Sequence, residues 1–242
     1  MLGSTFYFNT SKKYIVAFAN LFKGIQVQRF DNAGNVVKTI DVPISYVGKS
    51  KLFYQLGRDS NKVSTVLPRI GFILRPVSRD VTRQISKYNT IDLTSSVTGE
   101  DIQITYNPVP YNFTFEVAIL AKNYDDMLQI TEQICPFFTP DYGISVNEIP
   151  EFGITRDLNV TLGDISIGVE NEFGQEEDRI VTTDMTFTMK GWLYHPIRDS
   201  KVIETINTHL INKETLTEYE TIQTEYNAIT DSIDTTIIEG GA

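Results

Sequence analysis

Cysteine and histidine are scarce in this chain of 242 residues, which contains one cysteine, Cys135, and two histidines, His195 and His209. A single thiol excludes an intrachain disulfide, and a cysteine-based zinc site would need ligands from another chain. Neither the His-Glu-x-x-His motif nor the aspartate and glycine spacing of a calcium loop occurs. The composition therefore predicts a protein with no metal and no cofactor, made in a reducing compartment.

Long hydrophobic runs are also lacking. No segment reaches the roughly 18 uninterrupted apolar residues of a membrane-spanning helix. The stretch from Met1 to Asn9 lacks the charged and apolar parts of a secretory signal. The apolar fraction of 41% is nevertheless that of a globular protein with a buried core. We expect a soluble protein, made in a cytoplasm, without a membrane partner.

Catalytic motifs are missing as well. The sequence contains no Gly-x-Ser-x-Gly turn and no glycine-rich loop between a strand and a helix. The only histidine bases are His195 and His209, and His195, which precedes Pro196, is interpreted as a packed or interfacial side chain. The acidic run from Glu170 to Asp178 is interpreted as a solvated loop. The sequence therefore favours a structural role over an enzymatic one, with no catalytic residue.

The net charge of −10 hides an asymmetry between two parts of the chain. Residues 1–90 contain 14 lysines and arginines against 4 aspartates, whereas residues 91–242 contain 7 basic and 27 acidic residues. Surfaces that bind nucleic acid usually cluster basic residues with stacking aromatics, and here the basic residues are spread thinly. We interpret the asymmetry as a way for unlike charged faces of neighbouring copies to meet. Two separately solvated faces are the alternative.

The first 93 residues show short periodic segments separated by turn residues. These patterns predict a helix over Lys12–Phe22 with Ser11 as its cap, and a hairpin around Asp31–Asn35. They also predict the following elements: a strand from Pro43 to Tyr46, a helix over Ser50–Leu56 ended by Gly57, and a long antiparallel pair formed by Val66–Val77 and Gln84–Leu93.

The central block has the clearest periodicity. Phe113, Phe115, Val117 and Ile119 alternate with polar or small residues, so the pattern predicts a strand with one buried face. Asn123 is expected to cap the helix that follows, with Asp125 and Asp126 in its positively polarised first turn. The apolar positions predicted to face the sheet are Met127, Ile130, Ile134 and Phe137.

The remaining sequence predicts a second long hairpin, formed by Arg156–Ile167 and Ile180–Leu193. From Val202 onward the chain is rich in threonine, glutamate and isoleucine with weak helical periodicity, and we interpret it as an arm. The order of elements predicts an α+β fold: a single domain with a mostly antiparallel sheet and helices on one face. We expect this domain over residues 1–200 and the arm over residues 201–242.

Several short motifs, in order over roughly residues 3 to 198, form a specific pattern. They are Phe6–Tyr14, Asn20–Phe22, Ile25–Arg29, Val42–Tyr46, Thr65–Ile70, Tyr106–Pro110, Tyr124–Ile130, Glu132–Phe138 and Gly191–Pro196. Their composition and order resemble the tail sheath stabiliser family of T4-like phages. None of them is a catalytic fingerprint.

This resemblance implies a tail-terminator type of fold and a structural virion protein. It implies a hexameric ring at the tail-neck junction, assembled in the cytoplasm of a bacterial host. The implied partners are other copies of the chain, the tail sheath protein, the tail tube terminator and the neck or head completion protein. DNA would pass through an acidic lumen without specific binding, because like charges repel.

Thirteen residues are candidates for subunit interfaces. The apolar positions of Tyr124–Phe138 fit an ordinary core helix, whereas Gln129, Glu132 and Gln133 are better interface candidates, because a polar face needs no particular residues merely to meet water. Aromatic residues near the N-terminus pack either under their own sheet or against a neighbour. The full set is Phe6, Tyr7, Asn9, Tyr14, Arg69, Asn107, Asp126, Gln129, Glu132, Gln133, Trp192, Tyr194 and His195.

Two other functions remain open. One is the terminator ring of a phage-derived contractile injection particle that carries no DNA, which genomic neighbours would distinguish. The other is a ligand-binding or hydrolytic β-rich tail component. That function predicts exposed aromatics on a concave surface with paired carboxylates.

Overall fold

The computed structural model describes nine segments of the chain: residues 5–31, 33–58, 67–86, 88–94, 101–170, 180–201, 205–211, 218–227 and 232–239. The chain forms two compact units. One consists of Met1–Ile85 with Pro108–Leu193, and the other of Ser86–Asn107 with Tyr194–Ala242. The expected division into a domain over residues 1–200 and an arm over residues 201–242 stays a prediction.

The helices of the described residues are α1 (Thr10–Leu21), α2 (Lys49–Arg58) and α3 (Tyr124–Ile134). Short 3₁₀ turns follow at Cys135–Phe137 and Pro150–Phe152. The strands are β1 (Gln26–Phe30), β2 (Val36–Asp41), β3 (Ile44–Tyr46), β4 (Arg69–Arg79), β5 (Thr90–Thr94), β6 (Asp101–Tyr106), β7 (Val109–Ala121), β8 (Asp141–Ile149), β9 (Ile154–Glu170), β10 (Ile180–Leu193), β11 (Arg198–Lys201), β12 (Thr205–Ile211), β13 (Glu218–Asn227) and β14 (Ser232–Glu239).

A six-stranded sheet organises the first unit, with strand order β3-β4-β7-β10-β9-β8. All its neighbouring strands are antiparallel except β3 and β4, which are parallel. The sheet's longest ladder joins β7 to β10 over thirteen residue pairs, from Val109 opposite Leu193 to Ala121 opposite Val181. The α+β class with a mostly antiparallel sheet is confirmed, and so is the hairpin of β9 with β10.

The main core lies between one face of this sheet and helices α1 and α3. The predicted alternation of β7 is confirmed, because Phe113, Phe115, Val117 and Ile119 are all buried. Phe18 of α1 stacks on the ring of Phe115 with their centroids 4.1 Å apart. Aromatic pairs of this kind contribute about 0.5–1.5 kcal/mol beyond the area that they bury.

The opposite face of the sheet carries a smaller core under α2. Ala118 and Leu120 point to this side because successive strand residues alternate, and they pack with Leu52 and Phe53. A Cβ at Gly71 would overlap the side chain of Leu52. Glycine at this position lets α2 approach the sheet.

Two further local predictions are confirmed with corrections. The hairpin of β1 and β2 forms around Asp31, whose carboxylate accepts hydrogen bonds from the backbone N–H groups of Ala33 (2.9 Å) and Asn35 (2.8 Å). The first helix begins earlier than expected. Its N-cap is Asn9 and not Ser11, and Asn9 has a left-handed φ of 58°, which asparagine tolerates better than most residues.

The third helix, α3, is confirmed with Asn123 in extended conformation at its N-cap, although this side chain makes no capping hydrogen bond within the described residues. Met127, Ile130 and Ile134 are buried as predicted. Phe137 is not, because it follows the helix in the 3₁₀ turn and is 62% exposed. Burial therefore ends where α3 ends.

Two sequence predictions are wrong. Val66–Val77 and Gln84–Leu93 do not pair, because β4 lies between β3 and β7 while β5 pairs with β6 in the second unit. Gly57 lies inside α2 and does not end it. The described part of the C-terminal region, whose sequence shows only weak helical periodicity, forms the sheet β12-β13-β14, as its many β-branched residues favour. The interpretation of this region as an arm stays a prediction. The second unit also contains the sheet β11-β6-β5. Most of the acidic run ending at Asp178 lies outside the described residues.

Candidate functional site

Two glutamines of α3 hold strand β1 in place. The Gln129 amide accepts from the backbone N–H of Gln28 (2.9 Å) and donates to its carbonyl (3.0 Å). Gln133, one turn later, makes the same pair of contacts with Gln26, at 3.4 Å and 2.7 Å. A side-chain amide imitates a backbone amide, so the two glutamines act as a neighbouring strand along the edge of β1. We call this contact the glutamine clamp.

An ion pair with a buried carboxylate completes the same contact. Asp126 is 1% exposed, and both of its oxygens lie 2.6 Å from the guanidinium nitrogens of Arg29 on β1. Burial raises the pKa of the Asp126 carboxyl, and the positive charge of Arg29 opposes that shift. The predicted first-turn role of Asp126 is therefore incomplete, because the side chain also fastens α3 to the hairpin.

A second buried polar cluster lies where α1 crosses the end of the sheet. The Tyr14 hydroxyl donates to the carboxylate of Glu148, which is fully buried, and accepts from the backbone N–H of Trp192 at 3.0 Å. Lys13 donates to the Glu148 carbonyl at 2.6 Å, and Arg156 lies 3.4 Å from the Glu148 carboxylate. The cluster ties α1, β8, β9 and β10 together.

The indole ring of Trp192 contacts two cations. The guanidinium carbons of Arg83 and Arg156 are each 5.1 Å from its ring centroid, within the range of cation–π attraction. Asp80 accepts from Arg83 at 2.8 Å, and this contact holds the pKa of the Asp80 carboxyl well below its usual range. Trp192 is therefore held rigidly at a half-buried position.

Residues of the motif around His195 lie in the second unit. The rings of His195 and Tyr106 are perpendicular with centroids 5.9 Å apart, and Thr105 donates to the His195 carbonyl at 3.2 Å. Asn107 donates its backbone N–H to the carbonyl of Asn89 at 3.1 Å. His195 is accordingly a packed side chain, and an interfacial role for it stays a prediction.

The sequence candidates differ in what they leave accessible. Tyr14, Asp126 and Tyr194 are buried, while Gln129 and Gln133 already bind β1. The exposed candidates are Phe6 (47%), Tyr7 (72%), Asn9, Glu132 and Gln133. Arg69 is half-buried, and its Nε has no hydrogen-bond partner within the described part of the chain. Interface roles for all thirteen residues stay predictions.

Sequence reasoning missed Arg29, Glu148, Arg83 and Arg156. A signal for Glu148 was present, because it shares a period-two register with Ile144 and Val146, which places an acid on the inward face of β8. The arginines carried no local signal. Their partners are up to 109 residues away in the chain, as for Arg83 and Trp192.

Two open grooves lie on the first unit. One, of about 560 Å³, lies beside the C-terminal ends of α1 and α3 and is lined by Lys23, Glu132, Phe137 and Tyr142 among others. The other, of about 380 Å³, lies on the α2 side of the sheet. The ion pairs Lys49 to Asp184 and Arg75 to Glu116, each 2.7 Å long, line the second groove.

The described residues contain neither a cluster of metal ligands nor a membrane-spanning helix. Nowhere in that part of the chain do three or more His, Cys, Asp or Glu side chains gather closely enough to hold a metal ion. No helix described there is long and apolar enough to cross a membrane. The polar groups that the structure brings together instead connect elements of the fold.

Residues 5–239 match the family described as T4-like virus Myoviridae tail sheath stabiliser. The chain is also 30% identical over 209 residues to tail completion protein gp15 of Enterobacteria phage T4. That alignment covers 81% of this chain and 74% of the T4 protein.

Proposed function

Since the chain belongs to the T4-like virus tail sheath stabiliser family, we propose that six copies form a ring that ends the contractile sheath and joins the tail to the neck. The family is one of structural phage tail proteins, and this chain has that general role. The observation that carries the finer proposal is the family match, which extends over both compact units. The proposed partners are the tail sheath protein, the tail tube terminator and the neck or head completion protein.

The polar contacts that join elements of the first unit support a role in assembly. Four elements of the first unit meet at the buried Glu148, and α3 binds the β1–β2 hairpin through the glutamine clamp and the Arg29–Asp126 pair. Such contacts fix the relative positions of exposed side chains before a partner arrives. Binding a preorganised surface costs less conformational entropy than ordering a loose one.

Attraction between unlike charges would set how neighbouring copies align in the proposed ring. Residues 1–90 carry an excess of ten positive charges, and residues 91–242 carry an excess of twenty negative charges. Unlike charges on neighbouring copies would attract, while apolar contacts supply most of the affinity. Each junction of such a ring is expected to bury more than about 1,000 Å². Acidic residues that face the lumen would let DNA slide through without binding.

The mass of the purified protein in solution tests the ring. Light scattering behind a sizing column should give about 164 kDa for six copies of the 27.4 kDa chain at low salt. Because ionic strength screens charge attraction, the mass should fall as salt rises. A monomer at every salt concentration and protein concentration would contradict a self-assembling ring.

A second experiment tests the position in the tail. Tails assembled without this protein should have an unstable sheath end in electron micrographs. Adding the purified protein should restore a stable sheath with extra density at the head-proximal end. Density at the opposite end, or none, would contradict the proposal even if the ring forms.

A further inference from the structure

We propose that neighbouring copies join by adding strand β2 of one copy to the free edge of β9 on the next. This inference rests on the proposed ring and names the surfaces that would build it. The pairing would be head-to-tail, with two different edges at each junction. Contacts of that kind close into a ring when the rotation between copies is right.

The first surface is the second half of β9. This strand runs to Glu170, but β8 pairs with it only as far as Thr161. On the side away from β10, no described strand pairs with the next seven residues, 162–168. Ile165 and Ile167 are each 41% exposed beside this edge. Branched apolar side chains at an open edge are unusual, because such an edge recruits other strands.

The second surface is β2. Its only partner among the described strands is β1, so its other edge is open. Val36 is 50% exposed and Val37 is 69% exposed. The Asp31 turn holds one end of this hairpin, and the glutamine clamp holds β1. The edge is thus presented in a fixed position and not on a loose loop.

The two edges fit each other in length, apolar character and charge. Six residues of β2 would lie along seven residues of β9. Val37 and Thr39 share one face of β2 and would extend the face that carries Ile165 and Ile167. The one charged residue of the β9 edge is the exposed Asp164, and the one cation of β2 is the exposed Lys38.

Other open edges of the same sheet fit less well. The free length of β4 contains Pro76, which has no N–H to donate. Along β8, the only large apolar side chain that is markedly exposed within Asp141–Ile149 is Tyr142, at 38%. Val77 of β4 is as exposed as Ile165, at 41%, but it adjoins Pro76. Within the described part of this sheet, β9 is therefore the open edge that combines exposed branched side chains with an unbroken row of backbone N–H groups.

Disulfide trapping tests the junction. In a Cys135→Ser background, Val37→Cys is combined with Ile165→Cys, and the matched control combines Val37→Cys with Ser145→Cys on the open edge of β8. Directly opposed residues on paired strands have Cβ atoms about 4.5–5.5 Å apart, a separation from which small backbone shifts permit a disulfide. Mild oxidation should give a ladder of linked chains up to the full ring for the first pair and not for the control.

Light scattering before oxidation distinguishes a failure of the proposed junction from a failure of the proposed ring. The β2–β9 junction is overturned if the protein forms a ring but the Val37→Cys and Ile165→Cys pair gives no ladder of linked chains. It is also overturned if the β8 control gives an equal ladder. In both cases the proposed function still stands. A monomer overturns the self-assembled ring and the junction with it. Urea unfolding of each cysteine variant checks that its fold is retained.

Charge reversal provides a second readout of the same junction. Lys38→Glu or Asp164→Lys alone should raise the protein concentration at which half of the rings dissociate by on the order of twofold to fivefold, as for an exposed ion pair. The double variant should restore the original value. Additive losses in the double variant would show that these residues do not face each other.

Discussion

Replacing Gln129 and Gln133 by alanine should weaken the contact between β1 and α3 while the core stays folded. The two side chains make four hydrogen bonds to the backbone of Gln28 and Gln26, from 2.7 to 3.4 Å. A typical bond of this kind contributes about 0.5–1.5 kcal/mol net. All four are solvent-exposed, so water can replace them in part, and the lower values apply. We expect the local opening of β1 to become easier by about 2 kcal/mol.

Hydrogen exchange measured on peptides that cover β1, with fragmentation to single residues, reports this opening. The N–H groups of Gln26 and Gln28 point toward α3, and hydrogen bonding alternates along a strand, so those of Val27 and Arg29 point toward β2. Because 1.4 kcal/mol corresponds to a factor of ten, exchange at Gln26 and Gln28 should become about 30-fold faster. The amides of β7 should keep their protection.

Glu132→Ala is the matched control, because this exposed side chain lies on α3 between the two glutamines. It should leave exchange at Gln26 and Gln28 unchanged. Unchanged exchange in the double glutamine variant would refute the clamp. Equal acceleration of all amides would refute a local role, because it would indicate a loss of global stability.

Three other predictions concern the core and its charges, and urea unfolding measures each. Gly191→Ala should destabilise the fold by about 1–3 kcal/mol, because the added Cβ would overlap aromatic rings, whereas Gly143→Ala, with open space around it, should change little. Arg29→Met should lower the free energy of unfolding by about 1–3 kcal/mol, because it leaves the buried Asp126 carboxylate unpaired. The loss stays below that for a fully buried pair because 34% of the Arg29 side chain is exposed. Adding Asp126→Leu should recover much of this loss, and no recovery would contradict the pairing. Because the pKa of Asp80 is depressed, its ionised form stabilises the fold at pH values above the ordinary value of 3.8, and that contribution declines as the pH falls below it. The gap between wild type and Asp80→Asn should therefore be smaller at pH 3 than at pH 7, and a wider gap would contradict the assignment.

Local periodicity was a reliable guide where one element faces one environment. Apolar residues alternate along strand β7 because its odd positions lie under α1 and α3. The buried stripe of α3 is visible in the sequence because residues i, i+3 and i+4 of one helix lie on the same face. The hairpins were equally legible, since a turn and two flanking strands are contiguous in sequence. The strands of the C-terminal region were not predicted, because its periodicity is weak and only its β-branched composition favours strands.

The candidate interface residues were harder to judge from the sequence. Gln129 and Gln133 stood out as polar side chains on a helix that already had its apolar stripe, and this reasoning identified residues with a specific task. The contact that the structure describes is with β1 of the same chain, about a hundred residues earlier. A side-chain pattern reports that a partner is needed, but not whether that partner is the same chain or another one.

The sequence by itself determined the class of the fold, the position of its clearest helices and hairpins, and the family to which the chain belongs. These depend on the spacing of residues within short segments and on the order of motifs along the chain. Only the tertiary structure decided that β4 lies between β3 and β7, that Tyr14 meets Glu148, and that no described strand pairs with the second half of β9 on the side away from β10. The physical reason is that pairing between distant segments depends on which faces and edges remain unsatisfied after all the others have packed, and no local pattern records that competition.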